Sequence, residues 1–332
     1  MKNNPTSKKK PATFILTLDT EIAWGTFYWK GFNYYKYHFD NYRPLVRRFA
    51  AQLDEYKISA TWAFVGHLFL DHCDGVHADV LRPKYEWFNG EDWHKYDPGT
   101  NLETDPYWYG SDILELVKSM KTPQEIGTHT FSHVHMADPA CTPDIARSQV
   151  EKCIELGLEH DLNIRSLVFP RDEIGHLDVF SDLGIQSYRG VEENWYQNIP
   201  GLSHRICSVL DQFFAITPPV YNINSLDVNQ KLLNIPGSNF LFSYDRYHRF
   251  IPKVSRVVKI KKGIDKAIKE GAIYHLVFHP FQLGSSEKMF TIFDSIFKYL
   301  DECRQEGLIE IKTMSEVHDE YWRCKKNEFN DL

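Results

Sequence analysis

The stretch SRVVKIKKGIDKAIKEGAIYHLVF, residues 255–278, decides the fold class. Its pattern predicts a helix as far as about Glu270 and then a strand over Ala272–Phe278. A second pair of the same kind follows, with a helix over Glu287–Glu306 and a strand over Leu308–Ile311. Strands that alternate with helices of this length are typical of βα units, which build parallel sheets. We therefore predict an α/β fold with parallel strands, either open or closed into a barrel.

The same alternation runs through the N-terminal half of the chain. The predicted strands are Thr13–Leu18, Ala60–Val65, Glu125–Thr128, Ser166–Phe169 and Ile185–Tyr188, and the predicted helices are Tyr42–Tyr56, Asp112–Met120, Pro143–His160 and His176–Leu183. Thr142 and Pro143 form a helix start signal, because threonine caps helices and proline is favoured at the first helical position. The sequence shows no repeat and no linker, so a single domain over residues 13–318 is expected.

Two segments interrupt the alternation of strands and helices, and both ends of the chain fall outside the predicted domain. Residues 70–110 are rich in aromatic side chains among Asp, Gly, Asn and Pro, and residues 190–254 contain loops rich in Asn and Pro. We interpret both as insertions into the domain. Residues 1–12 are predicted to form a flexible basic tail, and residues 319–332 a C-terminal tail.

Composition bounds the function classes. Of 332 residues, 42% are hydrophobic and 25% charged, which is typical of a soluble globular protein. The net charge of −7 argues against a nucleic-acid partner held by a basic field. The apolar run Phe14–Leu16 is too short for a secretory leader or a membrane span, so a cytoplasmic protein without membrane insertion is predicted. Aromatic residues reach 14%, which suggests a binding surface, and sugars are one ligand class that stacks on such rings.

The six cysteines are scattered and form no Cys-x-x-Cys pair. An even number permits three disulfides, but free thiols in a reducing cytosol are the favoured interpretation. The same scatter argues against zinc-finger and iron–sulfur sites.

Three clusters of chemically active residues each follow a predicted strand, where α/β enzymes place their active sites. They are Asp19 with Glu21, His129 with His133, and His279 before Pro280. Each has an ordinary alternative: an acidic residue after a strand often shapes a turn, and 15 histidines give several close pairs by chance. His275 is interpreted as an interior histidine and His135 as a surface or capping one. Together the clusters supply the carboxylates and imidazoles of a metal-assisted hydrolase.

The chain resembles the polysaccharide deacetylases, also called NodB-homology carbohydrate esterases, over roughly residues 13–315. The motifs that carry the resemblance are Thr17–Glu21, Ala60–Gly66, Thr128–His133 (which resembles H-[ST]-x-x-H), Phe169–Arg171 and Leu276–His279 (which resembles L-x-x-H). The resemblance implies a distorted (β/α) barrel of the deacetylase type with loop insertions.

The resemblance also implies a role for each residue. Asp19 would be the general base acting on a metal-activated water, and His279 the general acid that protonates the departing amine. His129 and His133 would bind the metal, and Arg171 would orient and charge-balance Asp19. The common first motif has adjacent aspartates, whereas Thr20 occupies the second place here. The chain is therefore similar to a D-x-E subgroup in which Glu21 is the third ligand.

The implied activity is removal of an N-acetyl group from a sugar, either a surface-polysaccharide precursor or a polysaccharide. The implied cofactor is one divalent metal ion, zinc first, with Co²⁺, Ni²⁺ or Mn²⁺ as alternatives. Hydrolysis of a small cyclic amide and sugar binding by an inactive homologue remain alternative functions. Segment 70–110, with Trp87, Trp93 and Trp108, is interpreted either as a substrate-covering or subunit-contacting element, which leaves an oligomer open, or as a structural aromatic cluster.

Overall fold

The computed structural model describes residues 10–29 and 31–330. The strands of this part are β1 (Ala12–Thr20), β2 (Thr61–Phe64), β3 (Glu125–Thr128), β4 (Ser166–Leu167), β5 (Ser187–Gly190), β6 (Val228–Asn229), β7 (Leu232–Pro236), β8 (Asn239–Phe240), β9 (Ile273–Phe278) and β10 (Ile309–Ile311). Its α-helices are α1 (Gly31–Asp40), α2 (Tyr42–Glu55), α3 (Ser111–Lys118), α4 (Pro143–Glu159), α5 (Leu177–Asp182), α6 (Gly201–Phe213), α7 (Lys253–Glu270), α8 (Lys288–Gln305) and α9 (Met314–Asn330).

The strands form one sheet in the order β6-β7-β5-β4-β3-β2-β1-β9-β8, and β10 pairs with β1 as well. Every pairing is parallel except that of β6 with β7. The sheet curls into a half-barrel with helices around it, which confirms the predicted α/β barrel. All nine residues of β1 are buried, and this strand lies inside the sheet between β2 and β9.

The strand register aligns the sequence clusters. Leu18 of β1 is paired with Phe278 of β9, so Asp19 and His279 are the next residues on neighbouring strands. Thr20 is level with Phe64 of β2, which is level with Thr128 of β3. Glu21 and His129 therefore also follow directly after aligned positions. Because parallel strands end at the same edge of a sheet, all three clusters meet there.

The segment 190–254 contributes more to the fold than an insertion of loops. It contains helix α6, and its strands β7 and β8 pair with β5 and β9. These strands are two to five residues long, which is too short for a clear periodicity in the sequence. The segment therefore extends both edges of the half-barrel.

The chain ends differ in part from the prediction. Helix α9 continues through residue 330 and buries its own residues Met314, Val317 and Tyr321, so residues 319–330 are not a tail. Residues 1–9 of the predicted basic tail and residues 331–332 lie outside the described residues.

All six cysteines are free. In the part of the chain that the structure describes, none of the helices has the length and apolar character that crossing a bilayer requires.

The helix start signal at Thr142 is confirmed and gives a stability prediction. Its side chain accepts a hydrogen bond from the Ile145 N–H at 3.3 Å, at the start of α4. Thr142→Ala should lower the free energy of unfolding by about 1 kcal/mol, because one N–H at the helix start loses its acceptor. Thr142→Ser keeps the acceptor and is the control. Urea denaturation measures both, and an alanine variant as stable as the serine variant would contradict the cap.

Candidate active site

The carboxylates of Asp19 and Glu21 face the same space at the end of β1. The strand stays extended through Thr20, so residues two apart share a face. Both side chains are buried. The Nε2 atom of His279 lies 3.7 Å from Asp19 Oδ2 and 3.5 Å from Glu21 Oε1, which joins the first and third sequence clusters.

Glu21 also meets the two histidines of the second cluster. Its Oε2 atom lies 3.4 Å from His129 Nε2 and 3.0 Å from His133 Nε2. His129 Nδ1 donates to the Val168 carbonyl at 2.8 Å, which leaves the Nε2 lone pair free to point at Glu21 when the ring is neutral. Such a hydrogen bond on the far nitrogen is what orients metal-binding histidines in proteins.

The two histidines lie on an irregular turn and not on a helix. Thr130 and His133 have φ angles of 63° and 57°, in the left-handed region that a β-branched residue such as threonine rarely adopts. The Thr130 hydroxyl accepts from the Val134 N–H at 3.1 Å, and the Thr130 carbonyl accepts from the Gly66 N–H at 2.8 Å. These bonds hold a strained backbone that brings both imidazoles to Glu21.

These three side chains fit a divalent cation. Their ligand atoms lie within 4.8 Å of one another, and all three residues are buried. Burial alone would raise the pKa of Glu21, but His279, His129 and His133 outweigh it and hold that pKa well below the usual range. An ionised carboxylate with two imidazoles is a donor set that suits zinc and leaves a coordination position open.

The arginine at Asp19 is Arg189 and not Arg171, so the prediction for Arg171 is wrong. Arg189 extends from β5 and binds both oxygens of Asp19, at 2.5 Å and 2.8 Å, and it also donates to Asp172 at 3.0 Å. The side chain of Arg171 is 55% exposed, and its Nε donates to Glu173 at 3.0 Å. Burial would raise the pKa of Asp19, but the Arg189 guanidinium outweighs burial and lowers this pKa to about 2.

A buried hydrogen-bond chain fixes Arg189. Its Nη1 donates to the Thr17 hydroxyl at 3.2 Å, and that hydroxyl lies 3.1 Å from His275 Nε2. His275 Nδ1 in turn donates to the Pro236 carbonyl at 3.1 Å, so His275 is an interior histidine with both nitrogens bonded. The arginine is thus held in one orientation against Asp19.

His135 differs from its prediction as a surface or capping residue. It is buried, with its Nδ1 atom 3.3 Å from Glu173 Oε2 and its ring 5.1 Å from that of Tyr28. Burial lowers its pKa to about 3. The sequence carried no sign that His135 is buried, because the aromatic residues that cover it come from other segments of the chain.

Two cavities flank the carboxylate and histidine groups. One of about 760 Å³ is lined by Tyr28, Trp29, Trp87 and His135 among others. The other, of about 430 Å³, is lined by Arg189, Asp172, Glu192 and Phe240 among others. Burial raises the pKa of Glu192 to about 7.

Of the three tryptophans in segment 70–110, only Trp87 is largely exposed to solvent. It is 48% exposed at the first cavity, whereas Trp93 is fully buried and Trp108 nearly so. Trp93 donates from its indole N–H to the Ser132 carbonyl, beside the metal-type histidines. The segment therefore includes a structural aromatic cluster, and it also presents one ring to a cavity.

The comparisons with known proteins identify the fold. No protein-family model matches the sequence, and no curated protein matches it. The structure is similar to a Mycobacterium smegmatis protein described as a polysaccharide deacetylase, with a TM-score of 0.59, 13% identity and coverage of 97% of this chain and 94% of the other. A Pseudomonas aeruginosa protein described in the same way has a TM-score of 0.57 and 9% identity, with coverage of 96% of this chain and 95% of the other. The PuuE allantoinase has a TM-score of 0.55 and 10% identity, with coverage of 97% of this chain and 95% of the other.

These similarities assign the chain to a fold class. The mostly parallel half-barrel is the fold of the polysaccharide deacetylases, and it covers nearly the whole chain. At these identities the likeness concerns the fold alone.

Proposed function

We propose that the protein is a metal-dependent hydrolase that removes an N-acetyl group from a sugar. The observation that carries the proposal is one juxtaposition: an arginine-bound aspartate, a Glu-His-His donor set and a further histidine meet at the carboxyl ends of β1, β3 and β9. The deacetylase-type fold surrounds this group. The proposed substrate is a surface-polysaccharide precursor or a polysaccharide.

Glu21, His129 and His133 would hold the cation, most simply zinc. A divalent metal at such a site supplies Lewis-acid chemistry, since it lowers the pKa of water from 15.7 toward about 7 and polarises an amide carbonyl. Asp19 is the proposed general base. Its carboxylate is ionised at neutral pH because Arg189 stabilises the charge, so it can orient the attacking water and take its proton.

His279 is the proposed general acid. An amine is a poor leaving group unless it is protonated, so the reaction needs a proton donor at the scissile C–N bond. The His279 side chain is 21% exposed at the rim, and its Nε2 atom faces both carboxylates. The rings of Phe240 and Phe281, 5.0 Å and 5.7 Å away, hold the imidazole in place.

The cavity beside His135 is the proposed sugar subsite. Tyr28, Trp29 and Trp87 line it, and the apolar faces and polar tips of such rings suit a sugar. Glu173 and Arg171 lie at the same cavity and can hydrogen-bond to hydroxyl groups. This gives Arg171 a proposed place in substrate binding instead of contact with Asp19.

Acetate release by the metal-replete protein tests the proposal. The substrate panel comprises nucleotide-linked and polymeric N-acetyl sugars, with Asp19→Ala as the inactive control. A small cyclic amide is included because an allantoinase shares the fold. Acetate from a sugar supports the deacetylase. Ring opening without acetate would show the amidohydrolase instead, and sugar binding without either product, unchanged in His129→Ala, would show an inactive binding protein.

Lysine substitutions at the two arginines separate their roles. Arg189→Lys should lower kcat/KM by about 10–100-fold, because an ammonium cannot replace the two-pronged contact with Asp19. Arg171→Lys is the comparison variant and should stay within about threefold, with any loss in KM, because lysine keeps a positive charge that can hydrogen-bond to a sugar hydroxyl at this largely exposed position. Steady-state acetate release measures both variants. A larger loss at Arg171 than at Arg189 would overturn the assignment of Arg189 to Asp19.

A further inference from the structure

A second group of metal-type side chains lies outside the proposed active site. His67, Cys73, His77 and Asp97 each offer one ligand atom, and these atoms lie within 4.8 Å of one another. The Nε2 atoms of the two histidines are 3.2 Å apart, and Asp97 Oδ2 lies 2.9 Å from His67 Nε2 and 2.7 Å from His77 Nε2. Cys73 Sγ completes the group at 3.5 Å from His67 Nε2 and 3.4 Å from Asp97 Oδ1.

The spacing of these atoms is close to that of a tetrahedral zinc site. Zinc bonds of about 2.0–2.3 Å to nitrogen, oxygen and sulfur place neighbouring ligand atoms about 3.2–3.8 Å apart. The separations of 2.7–3.5 Å overlap the lower end of this range, so small side-chain shifts would admit a cation. Four protein ligands fill a tetrahedron and leave no open position, which distinguishes a structural site from a catalytic one.

Hydrogen bonds around the group turn its lone pairs inward. His67 Nδ1 donates to the Trp108 carbonyl at 3.0 Å, so the Nε2 atom of the neutral ring carries a lone pair toward the other three residues. The Tyr109 hydroxyl accepts from the Thr100 N–H at 2.9 Å and lies 3.0 Å from Cys73 Sγ, so its proton is free to donate to the sulfur.

Burial makes a cation at this point favourable. The side chains of His67 and Asp97 have no exposure, and that of His77 is 7% exposed. The ring of Trp24 lies 4.6 Å from that of His67, and Phe131 packs on both histidines. The buried carboxylate of Asp97 is costly without a positive charge beside it, and a cation held by neutral imidazoles would supply that charge. Thiolate with imidazole selects zinc among the common divalent ions.

We propose that His67, Cys73, His77 and Asp97 form a structural zinc site that fastens segment 70–110 to the barrel. His67 lies in the short 3-10 helix Gly66–Phe69 after β2, whereas the other three proposed ligands belong to the segment. The Trp108 carbonyl that accepts from His67 also accepts from the indole of Trp24, three residues after Glu21. Because Trp87 belongs to the same segment, the ion would also position the cavity wall that carries Trp87.

Cobalt substitution tests the site on the whole chain. A thiolate ligand gives cobalt(II) a charge-transfer band in the near ultraviolet, and the Glu21 site has no thiolate. The wild type and the His129→Ala/His133→Ala variant should both show this band, with two metal ions and one metal ion per chain respectively. Cys73→Ser should lose the band, whereas Cys207→Ser, the matched control at a half-buried cysteine, should keep it. A cobalt-loaded wild type without the band would overturn the proposal even if Cys73→Ser failed to fold.

Limited proteolysis tests the structural role separately. In the His129→Ala/His133→Ala background, chelation removes only the ion proposed here. It should speed cleavage within residues 70–110 at least about tenfold, and added zinc should restore protection. Cleavage that is equally slow with and without zinc would contradict the fastening role.

Discussion

The double variant His129→Ala/His133→Ala is expected to release acetate at least roughly 10⁴-fold more slowly than the wild type. The two imidazoles are two of the three proposed ligands, so the variant would lose the cation along with its several kcal/mol of charge stabilisation and its effect on the pKa of water. The measurement is kcat/KM on an N-acetylated sugar, together with the metal content of the same preparation.

A matched pair of histidines provides the control for that variant. His160 follows α4 and His318 lies on α9, both away from the strand ends that carry the site. His160→Ala/His318→Ala should keep its activity within about twofold and its full metal content. A His129→Ala/His133→Ala protein that remains folded and retains comparable activity would contradict the assignment of the metal ligands.

Asp19→Asn is expected to lower kcat by about 10²–10⁴-fold, the usual contribution of a general base. The asparagine keeps the shape of the side chain and can still accept from Arg189, but it cannot take a proton from water. The Glu-His-His donor set is untouched, so metal content should not change.

Asp172→Asn is the matched control, because Asp172 is the second carboxylate on Arg189. Its side chain is 43% exposed, and the variant should lose less than about fivefold in kcat. Pre-steady-state and steady-state acetate release measure both variants. Full activity of Asp19→Asn would show that the proposed mechanism is wrong.

The sheet and the histidine groups were predictable because local patterns encode them. Strand β9 is a short apolar run bounded by Gly271 and Pro280, and β1 is equally apolar, so both were recognisable. Once the strands are known to be parallel, their carboxyl ends must lie at one edge of the sheet. Asp19, His129 and His279, which lie at or just after the ends of three strands, are then expected to lie close together. The spacing of Asp19 and Glu21 predicted a shared face because it requires only an extended backbone.

Arg189 was missed because its role depends on a partner far away in sequence. It lies 170 residues from Asp19, and the sequence around it shows only the end of a short strand. The available signal was an arginine directly after the predicted strand Ile185–Tyr188, a position where the side chain needs a partner if the strand is buried. Arg171 took its place in the prediction because it follows Pro170 in a loosely matching motif.

The Cys73 group was missed for a related reason. Scattered cysteines argue against sites built from pairs of thiols, but they do not exclude a site in which one cysteine joins two histidines and an aspartate. Cys73 and His77 are four residues apart, but Asp97 joins them only through the fold of segment 70–110. The prediction of segment 190–254 as a loop insertion failed differently, because β7 is stabilised by pairing with β5 and not by its own pattern.

The rate of acetate release from an N-acetylated sugar, followed as zinc is removed from the wild type and then returned, is the most direct test of the central claim. We predict that the rate falls to background in metal-free protein and recovers when zinc is restored. The variant Glu21→Gln changes only one proposed ligand, and added zinc should not restore the rate of acetate release in this variant. Full acetate release by the metal-free wild type would contradict the account.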